Sequence, residues 1–186
     1  MAVSRRIWLS NLTVRQKVDG YNQIVQPKLK YAISCVVFGV GRFDSLRKSA
    51  RDFDLETRKL LAESKTRFKC SCTSRLYVSK AKGGLGLKSM EEELEHTIIY
   101  TWCYLASNLD FTIPYALSTC LERRSKRSLT ADFQKIIRDN GMQGQVTRTR
   151  LAHIQVNGCD YTAATLARVI SGPVHERWGN THLQNW

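Results

Sequence analysis

The sequence predicts a mainly α-helical protein: a helical domain with a short glycine-rich turn or hairpin, followed by a smaller helical C-terminal region. Three observations lead to this prediction. Apolar residues recur at helical spacing in several segments, helix-start signals precede some of these segments, and glycines cluster within residues 83–86. The 186 residues, 42% of them hydrophobic, are enough for one packed domain or for one domain with a smaller appendage.

The first predicted helices precede the glycine cluster. Residues 1–11 are a short basic lead-in with no clear element. From Thr13 apolar residues recur at helical spacing to Val36, and we expect Pro27 to bend this helix or split it in two. Asp44 or Ser45 caps the next helix, which buries an apolar face ending near Leu61. Its other face carries the cations Arg47, Lys48, Arg51, Arg58 and Lys59.

The later helices follow the glycine cluster. Ser89-Met90-Glu91-Glu92 has the pattern of a capping box before an apolar run. The helix that it starts runs through Leu105, and we expect Trp102 to pack in a core rather than to stack on a base. Further helices are predicted from Ile113-Pro114 onward, over Thr130–Arg138 with an end at Asn140-Gly141, and near Tyr161–Ile170.

These segments suggest four parts of the chain. They are the lead-in at 1–11, a helical domain at 12–109 that contains the glycine cluster, a helical connector at 110–173, and a tail at 174–186.

The charge of the chain predicts an acidic polymer as its partner. The formal net charge is +13, and residues 42–88 alone hold 13 Lys/Arg against 5 Asp/Glu. Residues 121–150 hold 8 against 3, whereas residues 89–110 contain no Lys or Arg. Such an excess favours nucleic acid as the partner, with an anionic membrane surface second.

No membrane span or export signal is expected. The longest apolar run, residues 32–40, is far shorter than the roughly 20 residues that a spanning helix needs. The N-terminal residues are charged but lack an apolar stretch typical of a secretory signal. We therefore expect an intracellular protein, nuclear or cytoplasmic, whose six cysteines are reduced.

The most informative segment is Arg75-Leu76-Tyr77-Val78-Ser79-Lys80-Ala81-Lys82-Gly83-Gly84-Leu85-Gly86-Leu87-Lys88. Its glycines permit positive φ and close approach of the backbone to a partner. The cations around them give that backbone a positive rim suited to phosphate. The spacing matches neither a P-loop nor the dinucleotide-binding glycine pattern, and such a turn in isolation indicates only a hairpin.

About twenty residues upstream lies Asp54-Leu55-Glu56-Thr57-Arg58-Lys59-Leu60-Leu61. Together the two segments resemble the thumb of a non-long-terminal-repeat retrotransposon reverse transcriptase. In that family an Asp-x-x-x-Arg-Lys-Leu-Leu helix is followed, at a similar distance, by Arg-Leu-Tyr and a Gly-Gly-x-Gly-Leu turn. The resemblance covers about residues 12–107 and makes the domain at 12–109 thumb-like.

The resemblance implies a partner and a set of contact residues. The family's thumb grips the template–primer duplex, an RNA–DNA or DNA duplex, with weak sequence preference, and it works beside the palm and fingers of the polymerase. Arg75 has an alternative role, bracing the turn against the helix. The expected nucleic-acid-binding residues are Arg47, Arg51, Arg58, Lys59, Arg75, Lys80, Lys82, Gly83, Gly84, Gly86 and Lys88.

Catalysis and metal binding are not expected of this chain by itself. Polymerase chemistry uses aspartates that hold two metal ions, and the chain contains no adjacent Asp pair. Asp52 and Asp54 point away from each other on a helix, where surface solvation and helix-terminal charge explain them better. Cys70-Ser71-Cys72 lacks the two to four intervening residues of a zinc site. We expect no catalytic residue, no metal and no cofactor.

Two other classes of function stay open. One is a stand-alone basic helical module that binds RNA or acts as a protein adaptor. The other is a structural subunit that docks through the acidic helix of residues 89–107.

Overall fold

The structure is a computed structural model that describes residues 2–36, 43–67, 72–107, 127–140, 147–148, 154–156 and 159–162, with single residues at 110, 116, 120, 165 and 169. It is mainly helical, which confirms the predicted fold class. No helix among these residues is both long and apolar enough to span a bilayer. The helices are α1 (Ala2–Trp8), α2 (Val14–Gly20), a π-helical turn (Tyr21–Val25), α3 (Gln26–Val36), α4 (Phe43–Glu63), α5 (Ser74–Tyr77), a 3-10 turn (Lys80–Lys82), α6 (Met90–Ser107) and α7 (Leu129–Asp139).

The chain divides into two compact units. The described residues of the first unit lie within 2–33 and 45–94, and those of the second lie within 34–44 and 95–174. The glycine cluster and the cations that precede it belong to the first unit, so this unit holds the candidate site.

The N-terminal segment is a helix, so the expectation of no clear element in residues 1–11 was wrong. Trp8, at the end of α1, is fully buried, and its ring lies 5.3 Å from that of Tyr21. Its indole N–H donates to Ser4 Oγ at 3.1 Å. One large aromatic side chain therefore anchors a short helix that its basic composition obscured.

Pro27 neither splits nor ends the second helical region. Helical structure continues from Val14 through Val36, and the irregular part is the π-helical turn just before the proline. There the Gln26 N–H donates to the Tyr21 carbonyl oxygen. Proline cannot donate to the carbonyl four residues earlier, and its ring crowds that carbonyl. A wider turn at this point gives the ring room.

One hydrophobic core joins the described elements of the first unit. It draws on α1, α2, the π-helical turn, α4, α5 and the end of the glycine cluster. Its buried members are Trp8, Val18, Tyr21, Val25, Leu60, Leu61, Leu76, Tyr77 and Leu87.

The start of α6 is held by a side chain from α4. Asp54 is only 5% exposed, and its carboxylate accepts hydrogen bonds from Ser89 Oγ at 2.7 Å and from the Met90 N–H at 2.8 Å. The expectation of a solvated Asp54 was therefore wrong, whereas Asp52 is exposed as predicted. Burial raises the pKa of the Asp54 carboxyl, and the hydrogen bonds that it accepts oppose the rise.

Ser89 confirms the predicted capping of α6. Its Oγ accepts from the Glu92 N–H at 3.5 Å while its hydroxyl donates to Asp54. Two side chains thus satisfy N–H groups in the first turn of this helix, which have no partner within the helix itself.

In the second unit Trp102 packs in a core, as predicted. Trp102 is buried, its ring stacks on Phe133 with centroids 3.9 Å apart, and its indole N–H donates to Thr130 Oγ1 at 3.2 Å. Helix α7 confirms the prediction over Thr130–Arg138, and Ser128 caps it by accepting from the Ala131 N–H.

Three short strands were not predicted. They are β1 (Thr147–Arg148), β2 (Ile154–Val156) and β3 (Cys159–Tyr161). They form an antiparallel sheet in the order β1-β2-β3, with Gln155 opposite Thr147 and Asp160. Tyr161 therefore ends a strand instead of starting a helix. Most of the predicted helix near 161–170, the start predicted at Ile113-Pro114 and the tail at 174–186 lie outside the described residues.

Replacing Asp54 by alanine should lower the free energy of unfolding by about 2 kcal/mol or more, because buried donors of Ser89 and Met90 lose their acceptor. Asp52→Ala, a change of the exposed aspartate on the same helix, should stay within about 0.5 kcal/mol of the wild type. Chemical denaturation followed by circular dichroism measures both. Equal losses in the two variants would contradict the assigned role of Asp54.

Candidate nucleic-acid interface

The glycine turn, residues 75–88, is closed by its own backbone. The Leu85 N–H donates to the Arg75 carbonyl at 2.9 Å, and the Leu87 N–H donates to the Leu76 carbonyl at 2.8 Å. These bonds bring the segment after the glycines back onto α5. The 3-10 turn lies between the two arms, so the predicted turn is present, but it is not a hairpin of two strands.

The glycines are required by the turn itself. Gly83 and Gly86 have φ of 80° and 68°, a region that residues with a side chain rarely adopt. At Gly84 a Cβ atom would lie 2.0 Å from the carbonyl oxygen of Val78. The internal geometry of residues 75–88 thus accounts for all three glycines.

Closure of the turn also uses its backbone donors. Every amide N–H from residue 82 to residue 88 donates to an acceptor within the chain. A phosphate would therefore be bound by side chains rather than by these amides. Contact of Gly83, Gly84 and Gly86 with a nucleic acid stays a prediction that rests on close approach alone.

Two side chains from the N-terminal helices hold the outgoing arm of the turn. Asn22 donates from Nδ2 to the Gly86 carbonyl at 2.8 Å, and its Oδ1 accepts from the Lys88 N–H at 3.1 Å. Gln26 donates to the Lys88 carbonyl at 2.9 Å. Sequence analysis missed both residues, although a polar pair four residues apart beside the apolar Tyr21 and Val25 was a usable signal.

The side chains of Arg75, Lys80, Lys82 and Lys88 are all exposed, and we call them the cationic rim. Lys80 forms an ion pair with Asp19, and Lys88 Nζ lies 3.6 Å from a carboxylate oxygen of Glu93. The side chains of Arg75 and Lys82 form no hydrogen bond or ion pair with any residue of the described part of the chain. The Arg75 carbonyl helps to close the turn, but no side-chain hydrogen bond or ion pair with a described residue supports the alternative in which Arg75 braces the turn against the helix.

Arg58 braces the turn instead. Its Nη1 donates to the hydroxyl of Tyr77 at 3.0 Å, which links α4 to α5 inside the first unit. Burial raises the pKa of Tyr77 to about 12. The phenol consequently keeps its proton at neutral pH and accepts from the guanidinium as a neutral group.

Arg47, Arg51 and Lys59 on α4 are engaged with carboxylates, whereas Lys48 is exposed. Arg51 Nη2 lies 2.8 Å from Glu91 Oε1, and Arg47 Nε approaches the same oxygen at 3.6 Å. The Arg47 side chain is only 12% exposed. Lys59 pairs with Glu56 at 2.6 Å but is 57% exposed. Lys59 therefore differs from Arg47 and Arg51, because its carboxylate partner is itself well exposed.

The chain was compared with known proteins in three ways. No family model, no curated protein and no solved structure matches it.

Two glycine substitutions should separate steric clash from backbone strain. Gly84→Ala forces a Cβ against the Val78 carbonyl oxygen, so we expect a loss of about 3 kcal/mol or more in unfolding free energy. The added Cβ of Gly83→Ala meets no atom within 4 Å. We therefore expect a loss of only about 1–2 kcal/mol in unfolding free energy, from the left-handed backbone of alanine. Denaturant titrations of the two variants and the wild type give both values. A loss at residue 83 as large as that at residue 84 would argue against the close approach.

Proposed function

We propose that this chain is the thumb and connector portion of a retroelement reverse transcriptase, and that it grips a nucleic-acid duplex through the sugar–phosphate backbone. The observation that carries the proposal is the cationic rim on a closed, braced turn. The side chains of Arg75 and Lys82 are exposed and form no hydrogen bond or ion pair with the described residues. A rim of this kind supplies point charges for phosphates without reading bases.

The ion pairs of the rim do not oppose this role. Lys80 and Asp19 are each 40% exposed, and Lys88 is 55% exposed. Exposed ion pairs contribute on the order of 0–1 kcal/mol, so a phosphate can replace the carboxylate at small cost. The rim therefore offers up to four cations to one strand or to two neighbouring strands.

The packing of the two motifs supports the resemblance. Leu60 and Leu61 at the end of the α4 motif share the core of the first unit with Leu76 and Tyr77 of the turn motif. Arg58 and Tyr77, one from each motif, are joined by a hydrogen bond. The two segments that resemble the reverse transcriptase thumb thus belong to one packed structure rather than to two distant sites.

The proposed chain does not polymerise by itself. It lacks an adjacent aspartate pair, and the proposal assigns that chemistry to a palm that works beside it, with no cofactor held by the thumb. The duplex is the partner, and sequence preference is expected to be weak because backbone contacts carry no base information.

A stand-alone basic module is the second candidate, and the burial of two residues favours it. A thumb separated from its palm is expected to expose part of the apolar surface around Tyr21, Ile24 and Val25. Tyr21 and Val25 are instead 0% and 8% exposed, while Ile24 is 47% exposed. The first unit thus has a core of its own, with Ile24 and Tyr31 as exposed apolar side chains on its N-terminal helices.

Duplex binding should depend steeply on salt and on the cationic rim. About four to five phosphate contacts imply a loss of roughly two to three orders of magnitude in affinity between about 50 and 200 mM salt. Replacing Arg75 and Lys82 together by glutamine should lower affinity and reduce the slope of log K against log salt by about 2. Fluorescence anisotropy with an RNA–DNA duplex measures both quantities.

The control for this test is Lys28→Gln, which removes an exposed lysine of α3 that lies outside the rim. It should leave the affinity within about twofold of the wild type. A flat salt response, or a loss of affinity in Lys28→Gln equal to that of the double variant, would show that the rim does not bind the duplex.

A hydrophobic dye distinguishes the two candidate functions. The thumb proposal predicts that the isolated chain binds 8-anilinonaphthalene-1-sulfonate or self-associates through exposed apolar residues. Replacing Ile24 and Tyr31 by glutamate should weaken the dye signal or the self-association if these side chains form the exposed apolar surface. If they do not, the two substitutions should leave both signals unchanged. A wild-type chain that is monomeric at micromolar concentration and does not bind the dye favours the stand-alone module.

A further inference from the structure

A concave surface lies along α4 and includes Arg58, the residue that joins α4 to the turn. It is a cleft of about 610 Å³, a size within the usual range of small-ligand sites. Most of its lining comes from one face of α4, because positions 55, 59, 62 and 63 follow helical spacing. Arg67 and Thr73, which follow α4 in the sequence, also line it. Its lining includes Leu55, Lys59, Ala62, Glu63, Arg67 and Thr73.

The end of α4 places Arg67 in this cleft. Lys65 adopts a left-handed conformation with φ of 55°, which reverses the chain after the helix. The N–H groups of Thr66 and Arg67 then both donate to the Leu61 carbonyl, at 3.0 and 3.2 Å. The chain is thereby folded back over the last turn of α4. The Arg67 guanidinium donates to Thr73 Oγ1 at 3.5 Å, which links two lining residues of the cleft.

The cleft combines three kinds of chemistry. Lys59 and Arg67 supply positive charge, and Arg58, which also lines the cleft, is fixed by Tyr77. Leu55 and Ala62 supply an apolar surface, and Leu55 is 43% exposed, which is high for a leucine beside a packed core. Glu63 adds an exposed carboxylate that can accept from hydroxyl or amino groups.

We propose that this cleft binds one nucleotide of an unpaired nucleic-acid strand. Lys59 and Arg67 contact the phosphate, the base lies on Leu55 and Ala62, and Glu63 accepts from a sugar hydroxyl or a base amino group. A bare anion site would not need the apolar surface, and an apolar ligand would not need the cations. The inference rests on the proposed function and extends it, since a duplex gripped at the rim would continue as a single strand into the cleft.

The ion pair of Lys59 leaves this side chain available to such a ligand. The Lys59–Glu56 pair is exposed on both sides, at 57% and 51%, so it is weak and exchangeable. Arg67 has five N–H donors in a planar fork, a geometry that suits a phosphate. Because Lys59 is exposed and outside the core, its substitution should change binding without changing the fold.

Nuclear magnetic resonance titration of the full chain tests the proposal. Adenosine 5′-monophosphate should perturb the amide signals of α4 around residues 55–63 and those of 65–67. Adenosine alone and inorganic phosphate alone should each bind about tenfold more weakly, because each supplies half of the contacts. Inorganic phosphate binding as tightly as the nucleotide would overturn the nucleotide assignment and leave an anion site only.

Matched variants provide the decisive test of the cleft. Lys59→Gln and Arg67→Gln should each weaken nucleotide binding about tenfold, the scale of one hydrogen bond to a charged group. Lys48→Gln, an exposed lysine of the same helix outside the cleft, should have no effect. Equal weakening in all three variants, or none in Lys59→Gln, would overturn the proposal. Thermal unfolding of each variant shows whether Arg67→Gln acts through the fold, and Lys59→Gln then decides.

The same samples distinguish this inference from the proposed function. Absence of nucleotide binding together with salt-dependent duplex binding would overturn the cleft and leave the rim intact. Nucleotide binding without duplex affinity would overturn the rim-based grip, on which the continuation of a strand into the cleft depends.

Discussion

One carboxylate fixes the junction on which the candidate site depends. Asp54 lies on α4, yet it accepts from Ser89 and Met90 at the start of α6. Immediately before that junction, Asn22 and Gln26 hold the backbone of Gly86 and Lys88. The outgoing arm of the glycine turn is therefore fixed from two directions. Without Asp54, the N-terminus of α6 would lose a buried acceptor and the arm would lose the support that keeps Lys88 beside the rest of the cationic rim.

Closure and recognition are divided between backbone and side chains in the glycine turn. The glycines permit the left-handed residues and the approach to Val78 that the closed turn needs. The amides of residues 82–88 are consumed by that closure. On the proposed function, charge recognition falls to the side chains of Arg75, Lys80, Lys82 and Lys88, because the backbone amides of the turn are already satisfied. A rim built in this way needs little reorganisation when it meets a phosphate, which lowers the cost of binding.

The sequence predicted those features that local chemistry determines. The capping of α6 by Ser89, the burial of Trp102 and the span of α7 all follow from short-range patterns, and the structure confirms them. The burial of Asp54, the anchoring role of Trp8 and the clamp by Asn22 and Gln26 depend on residues more than ten positions apart in sequence. Short patterns carry no information about such partners. The sheet of β1–β3 was missed because strands of two or three residues are too short to show an alternating pattern.

Short sequence patterns also do not show which cations pair with distant carboxylates. Sequence analysis treated the cations of α4 as one surface, but α6 begins with three glutamates that recruit some of them. Arg47 and Arg51 approach Glu91, and Arg58 is used to join α4 to the turn. On the proposed function, Lys48, Lys59 and the rim are the cations that would meet a polyanion. The net charge of +13 therefore overstates the positive charge available to a nucleic acid. In the folded chain part of that charge lies beside the glutamates at the N-terminus of α6. What distinguishes a binding cation from a structural one is the exposure of its partner, and that quantity is set by tertiary packing.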